Sequence, residues 1–353
     1  MKRLSFLLVL TLISIVSWGQ SSFNLEASAL FRDAEYFMPF TKGYTLSGFR
    51  ATPSFCYKYD KASIKMGAML ESIAGTESFG KIRPVLTISY KPNDHVTFNM
   101  GTLDGSLNHD LGEPLYDIER YFIDYKEDGL QILTKTEHWT SDTWVNWEEF
   151  LEPWTPTQER FVLGSRHSIL FDGLDWGLHI PEISFMGAHR GGQFTSLDTC
   201  IETLFNEGAS IGLIRHLDDD NLLEMACYAY FFQNMSPTPH TAYNRGYALY
   251  PMLRFRHWHH SIWVLDAGYW HGNQFLSARG SWLFQSASWH DADFRQPIRN
   301  MITLTAIYKH RINQKFHLDI MANGYYDLDL KSFDFSIGLQ MYFNQSWTLG
   351  KKD

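Results

Sequence analysis

Cysteine is scarce in this chain: Cys56, Cys200 and Cys227 are three among 353 residues. An odd count excludes a framework in which every thiol pairs internally, and the wide spacing matches no zinc pattern. One disulfide stays open, beside the alternative of thiols packed as small apolar groups. Positive charge is short too. Lys and Arg number 30 against 39 Asp and Glu, a formal charge of −9, which excludes the basic footprint of a nucleic-acid binder. No Pro/Gly/Ser-rich linker, low-complexity tract or charge block divides the sequence. Beyond the N-terminus no apolar run is long enough for a membrane-spanning helix. No Rossmann fingerprint or complete P-loop is present, which removes the commonest nucleotide-binding readings.

What is present starts at the N-terminus. Lys2 and Arg3 precede an almost unbroken apolar run from Leu4 to Val16, followed by Ser17-Trp18-Gly19. This is the pattern of a cleaved secretory signal over residues 1–19, with Gln20 as the first mature residue. No Cys follows the apolar run, which disfavours a lipoprotein. Aromatic residues reach 16% with 12 Trp. That content suits a β-barrel in which only alternate residues meet lipid, and equally a carbohydrate-binding β-sandwich.

Periodicity decides between helix and strand. Phe333, Phe335, Ile337, Leu339, Met341 and Phe343 fall on one face, against Asp334, Ser336, Gly338, Gln340, Tyr342 and Asn344. Phe316, Leu318, Ile320 and Ala322 repeat the pattern, as do Ile302, Leu304, Ala306 and Tyr308. Phe23 to Phe31, Ile64 to Leu70 and Val96 to Met100 continue it near the other end. A period of two over about ten residues is that of a tilted strand crossing a bilayer. Turn signals at Asp60-Lys61, Lys91-Pro92-Asn93-Asp94, Glu127-Asp128-Gly129, Asp172-Gly173 and Asn313-Gln314 separate the runs.

The expected fold is therefore all-β: a single transmembrane antiparallel up-and-down β-barrel of about 16–18 strands over residues 20–353. An even count places both termini on the periplasmic side, with short turns at Asp60, Asn93, Asp128 and Asn313. The long connections Asp33–Lys42, Ile73–Lys81 and Asp104–Asp117 then fall outside. Met235–Arg245 is long on the supposedly short side, and strands between Asn273 and Arg299 are poorly defined. Tyr57, Tyr59, Tyr90, Tyr125, Trp139, Trp144, Trp147, Trp176, Trp258, Trp270, Tyr308, Tyr342 and Phe343 lie near segment ends, as interfacial girdles require.

The leader, the alternating strands and a last strand closing on Tyr342-Phe343 resemble the outer-membrane porin-like proteins of Gram-negative bacteria. The segment Glu113-Pro114-Leu115-Tyr116-Asp117-Ile118-Glu119-Arg120-Tyr121-Phe122, with Asp142-Thr143-Trp144-Val145-Asn146-Trp147-Glu148, is similar to one in uncharacterised barrels of the Bacteroidetes-type lineage. The residues after Phe343 depart from the aromatic C-terminal signature. The resemblance implies an outer-membrane barrel and attaches no solute.

The polar faces carry the candidate lumen residues Arg50, Lys58, Lys65, Arg83, Lys91, Arg120, Arg160, Arg166, Arg254, Arg256, Lys309 and Arg311. The acids Glu71, Asp124, Glu148, Asp319, Asp327 and Asp334 share those faces. Rings of Arg and Lys favour anions, while a mixed polar wall simply holds water. Of 15 His, His257-Trp258-His259-His260 places His257 and His259 on one strand face and His260 on the other. No carboxylate or thiol supports a metal there. His167-Ser168 and His260-Ser261 are neighbours in sequence, but adjacent strand residues project to opposite faces, so neither forms a nucleophile–base pair. Glu148 and Glu149 alternate likewise and make no acid–base pair. The Asp104–Asp117 connection either folds into the lumen as a constriction or covers the outer rim, the rim being preferred because loops outside a barrel are commonly long and polar.

These readings predict a porin-like channel for passive diffusion of small hydrophilic solutes, weakly anion-preferring. No enzymatic activity, catalytic residue, cofactor or metal is expected. The expected partners are outer-membrane lipid, the solutes, and the barrel-assembly machinery during insertion, with no nucleic acid. A secreted glycan-binding or hydrolytic β-protein and a plugged barrel serving as scaffold or adhesin stay open.

Overall fold

The computed structural model describes residues 19–76, 80–105, 108–124, 126–151, 157–171, 173, 175–192 and 201–349. Residues 1–18 of the expected leader, Tyr125, Asp172 and Cys200 lie outside the described residues.

Alternation becomes a closed wall of sixteen antiparallel strands. The first half comprises β1 (Gln20–Glu35), β2 (Tyr44–Tyr59), β3 (Ala62–Ile73), β4 (Lys81–Tyr90), β5 (Val96–Thr102), β6 (Asp128–Lys135), β7 (Trp139–Glu149) and β8 (Arg160–Phe171). The second comprises β9 (Gly177–Arg190), β10 (Glu202–His216), β11 (Asn221–Asn234), β12 (Arg245–Trp258), β13 (Ser261–Asn273), β14 (Ile298–Arg311), β15 (Phe316–Asp327) and β16 (Ser332–Leu349). Each strand pairs with its sequence neighbours, and β1 closes the ring against β16 from Ser21↔Leu349 to Glu35↔Phe335. Closure removes every edge whose unpaired N–H and C=O groups lipid could not satisfy.

The outer wall is the apolar one. Ile82, Leu86, Met100, Leu130, Ile211 and Leu304 stand exposed on it. Arg32, Arg50, Glu71, Asn99, Gln131, Asn206, Glu224 and Asp327 are buried inside. A water-soluble protein would invert that distribution; a barrel in lipid requires it.

Gln20 and Leu349, where the wall begins and ends, share one end of the barrel with the short turns at 60–61, 136–138, 217–220, 259–260 and 312–315. The other end carries the loops 36–43, 103–127, 235–244 and 274–297. Two expectations change here. Asp128 opens β6 at the long-loop end rather than marking a short turn, and Met235–Arg245 lies at that same end. The 274–297 segment supplies no barrel strand, which sets the count at sixteen.

Loops 36–43, 103–127 and 274–297 fold inward and fill the loop-side half of the barrel. Met38, Phe40, Leu111, Leu115, Tyr116, Phe275, Leu283 and Phe284 pack there against Trp144, Tyr230, Tyr250, Trp270 and Tyr325 from the wall. The Asp104–Asp117 connection is thus part of a plug, not a rim cover. Trp144 and Trp270 are buried at its centre rather than in a girdle. Tyr59, Tyr90, Trp139, Trp147 and Trp176 do stand exposed.

Inner charges hold this plug. Arg50 binds Glu71 at 2.6 Å and donates to the carbonyl of Tyr121 at 2.7 Å, and to that of Phe122. Both carbonyls belong to the single helical turn Arg120–Ile123. Glu119 accepts from Arg32 Nε at 3.1 Å and Tyr36 at 2.9 Å, and from Tyr44. Arg299, wholly buried with Asp327 at 2.8 Å, donates to the carbonyls of Leu283 and Gln285 at 2.6 and 2.9 Å. A buried cation needs this many partners, because removing one leaves an uncompensated charge at about 3–5 kcal/mol.

His109 is a second anchor. Nδ1 meets Asp142 and Nε2 meets Glu127, each at 2.7 Å, and its ring stacks on Trp144 with centroids 3.5 Å apart. Burial opposes protonation, but the bonds to the two carboxylates prevail and raise its pKa.

Candidate functional site

Beneath the plug lies a luminal cavity of about 320 Å³, roofed by Asn108, Leu111, Glu113 and Phe122. Its wall carries Arg166, His179, Tyr228, Arg254, Arg256 and Asp319.

Three strands bring one constellation to this wall. Ser168 lies on β8, His179 at the start of β9 and Glu224 on β11. His179 Nδ1 is 2.6 Å from Glu224 Oε1, and His179 Nε2 is 3.2 Å from Ser168 Oγ. A carboxylate only accepts, so Nδ1 carries the proton and Nε2 is left to take one from the serine hydroxyl. Nucleophile, base and orienting acid are thereby in the order that serine hydrolases use. Glu224 is buried and fixed electrostatically: Arg254 and Arg256 approach its Oε2 at 3.9 Å each. Arg254 is itself clamped by Asp266 through two bonds of 2.7 Å.

A cation stands beside the nucleophile. Arg166, two residues before Ser168, donates to Pro181 O at 2.6 Å and to Thr140 Oγ1 at 3.3 Å. Its Nε is buried without a hydrogen-bond partner among the described residues. Residues i and i+2 share a strand face, so Arg166 and Ser168 both face the lumen.

The sequence reading missed this triad because it weighed Ser168 only against its neighbour His167, which points outward. The partner sits on the next strand, and a slip in register sets its face. β9 loses register with β8 between His167 and Ile169, and with β10 between Ala209 and Gly212. Simple alternation from Glu182 and Ser184 would have turned His179 toward lipid. The hairpin β8–β9 was the one legible signal.

Other serines fit less well. Gly208-Ala209-Ser210-Ile211-Gly212 has the spacing of a nucleophile elbow, but it runs along β10. Ser210 Oγ is occupied by Glu182 N at 2.7 Å and Glu182 O at 2.9 Å. On the outer wall Ser165 Oγ is 3.0 Å from His167 Nε2, yet among the described residues no carboxylate pairs with that ring. No cluster of three or more His, Cys, Asp or Glu among the described residues could hold a metal ion. His257 bonds Asn221 at 3.0 Å, and His259 pairs with Asp220 at 3.2 Å beside the turn. Cys56 and Cys227 are free thiols.

The candidate lumen residues divide by place. Arg166, Arg254, Arg256, Lys309 and Asp319 line the cavity. Arg50, Glu71 and Asp327 are buried in plug contacts, and Glu148 pairs with Arg279 of the 274–297 loop. Lys65 meets Glu26 at 2.8 Å and Arg83 meets Asp124 at 3.5 Å. Arg120 belongs to the plug and not to a strand, bound to Glu127 at 2.7 Å. Arg160 is exposed near the loop rim, while Lys58, Lys91 and Arg311 are exposed at the short-turn end. The inner cations are therefore mostly spent on holding loops and carboxylates, not arrayed as an anion path.

A family model described as lipid A 3'-O-deacylase-type matches residues 16–352. None of the curated proteins matches the sequence. Among solved structures, a loop-deletion form of the outer membrane protein OmpT of Vibrio cholerae superposes with a TM-score of 0.54 at 10% identity. The match covers 92% of this chain and 100% of that one. The outer membrane protein opdK of Pseudomonas aeruginosa gives 0.53 at 8% identity, with 93% and 99% covered. OprD of the same organism gives 0.51 at 9%, with 94% and 96% covered. Likeness at this identity concerns the fold alone, a closed antiparallel barrel. The family match overturns two expectations from the sequence, a passive porin-like channel and a protein without enzymatic activity. Charged inner faces look alike in both cases, since periodicity records which face is polar and not what that face does.

Proposed function

The chain belongs to the lipid A 3'-O-deacylase-type family, and from that premise we propose that it is an outer-membrane hydrolase that removes an ester-linked acyl chain from a lipid A-type glycolipid. The Ser168–His179–Glu224 relay carries this reading, with both bonds made by the correct ring nitrogens. In the reaction, Ser168 Oγ attacks the acyl carbonyl carbon while its proton passes to His179 Nε2. Charge gathering on the carbonyl oxygen is met by Arg166. The bond from that carbon to the sugar oxygen breaks, and the leaving alkoxide takes the proton from His179. Water, deprotonated by His179, then cleaves the acyl-serine ester and releases the fatty acid. Glu224 holds the ring and balances its charge throughout.

Incubation of the purified, folded barrel with lipid A, followed by mass spectrometry of released fatty acid, tests the reading. Release is expected from the wild type, with at least a 10³-fold loss in Ser168→Ala, on the order expected for a lost nucleophile. A fluorophosphonate probe should label Ser168. Full activity in Ser168→Ala would overturn the assignment of the site. No release from any acyl ester by a correctly folded sample would overturn the function.

A further inference from the structure

The Gly208-Ala209-Ser210-Ile211-Gly212 stretch of β10 supplies no nucleophile, yet it meets β9 where His179 is turned inward. Toward β8, Ile183 pairs with His167 and Ile180 with Ile169, so Pro181 and Glu182 stand against Ser168 alone. Toward β10, Ile183 pairs with Ala209 and His179 with Gly212, so Ile180, Pro181 and Glu182 stand against Ser210 and Ile211. Either side leaves β9 with one residue more than its neighbour, and the surplus lies between Ser168 and Ser210. Regular alternation would set His179 on the outer face with Ile183, four residues on. The surplus residue inverts that parity, as a β-bulge does when it re-aims a side chain.

Such a residue brings backbone groups that no ladder matches, and a strand in lipid cannot leave them bare. Pro181 has no N–H to satisfy, and its carbonyl accepts from Arg166 at 2.6 Å. The N–H of Glu182 donates to Ser210 Oγ at 2.7 Å, and the same hydroxyl donates to Glu182 O at 2.9 Å. A hydroxyl both donates and accepts at one atom, so Ser210 replaces a ladder partner for Glu182. The Glu182 carboxylate is buried and held as well: Oε2 accepts from the Gly112 N–H at 3.0 Å and Oε1 from Ser184 at 2.7 Å. Gly208 makes the room, since a Cβ there would lie 2.6 Å from Glu182 Oε1.

We propose that Ser210 is a positioning residue for the reaction: its hydroxyl, with the space left by Gly208, fixes the extra residue of β9 and so the reach of His179 to Ser168. The inference rests on the hydrolase reading above and adds to it a residue that touches neither the ester nor the relay. A base displaced by about 1 Å costs up to about 10²-fold in rate, and binding of the ester is untouched.

The test uses a soluble p-nitrophenyl ester of a four-carbon acid and barrels whose folding is verified by the mobility shift of unheated samples in gels. Ser210→Ala is expected to lower kcat at least tenfold with KM unchanged within twofold. Ser210→Thr, which keeps the hydroxyl, should retain at least a third of the wild-type kcat, and Gly208→Ala should fall in the same direction as Ser210→Ala. With Pro181 deleted, β9 pairs without a surplus residue and still faces His179 inward, so Ser210→Ala should cost less than twofold in that barrel. Hydrogen exchange at the Glu182 amide, read by mass spectrometry of overlapping peptides, should quicken at least tenfold in Ser210→Ala whatever the activity. Wild-type kcat in folded Ser210→Ala would overturn the proposal, as would an equal loss with and without Pro181. An inactive but folded Pro181-deletion barrel with Ser210 intact would overturn it too. Absence of Ser168-dependent cleavage in the wild type, with the Glu182 amide still quickened by Ser210→Ala, would instead sink the hydrolase reading and leave Ser210 as the latch of β9.

Discussion

Glu224 reaches His179 from two strands away, its Oε1 2.6 Å from Nδ1, and leaves Nε2 facing Ser168. Replacing the carboxylate by an amide keeps the size and removes the charge that selects this tautomer. Glu224→Gln is therefore expected to lower kcat about 10²- to 10⁴-fold with little change in KM. Glu224→Asp should recover part of the loss. Ester turnover by folded protein checks both, and a Glu224→Gln variant with wild-type kcat would exclude the relay.

The Arg299–Asp327 pair, wholly buried with a 2.8 Å contact, ties β14 and β15 to the 274–297 loop. Asp327→Asn leaves the guanidinium without its counter-charge and should cost about 3–5 kcal/mol. Replacing both partners by Met and Leu should cost less, because no orphan charge remains. Thermal unfolding in detergent orders the three proteins, and a double variant weaker than the single one would contradict the argument.

The plug should loosen with alkali. Burial pushes the Glu113 carboxyl up to about 8 from an ordinary value of 4.5, against a hydrogen bond from Tyr325. Burial raises Asp117 too, with Glu119 adding to it. Between those limits the docked plug keeps protons that the unfolded chain has released, so the stabilisation is complete below pH 4.5 and is lost as pH rises through 8. His109, raised, acts in the same direction. Glu127 opposes on the acid side: burial raises it, but the bond from His109 prevails and lowers it, so its contribution disappears as pH falls through its folded value. Hydrogen exchange of the 108–124 amides, corrected for intrinsic rate, should show greatest protection at mildly acid pH and a decline by about pH 9. Protection that rises steadily to pH 9 would contradict this.

Gly164 faces Trp144 across β7 and β8. A Cβ built on it would fall inside contact distance of the indole ring, which stacks on His109. Gly164→Ala should thus push Trp144 off His109 and destabilise by about 1–3 kcal/mol, the usual cost of overpacking. Near-ultraviolet circular dichroism reports the loss of the stack. An unchanged spectrum and midpoint would show that Trp144 has room to spare.

Strand periodicity determined the all-β class, and with the leader and the aromatic strand ends it pointed to a barrel. The alternation around Phe333 and Ile302 fixes one apolar and one polar face, and closure follows from the need to satisfy every backbone group in lipid. It also brought Arg50, Arg166, Arg254 and Asp327 to the polar side, because parity depends only on neighbours along the chain. Tertiary structure decided everything that joins distant strands. Whether loop 103–127 covers a rim or enters the lumen depends on Arg32 on β1 meeting Glu119, and Arg50 on β2 meeting the carbonyls of Tyr121 and Phe122. The triad depends on a slip in β9 that turns His179 inward, and on Glu224 from β11. Periodicity counts residues along one strand; a relay between three strands is set by register, which no single strand contains.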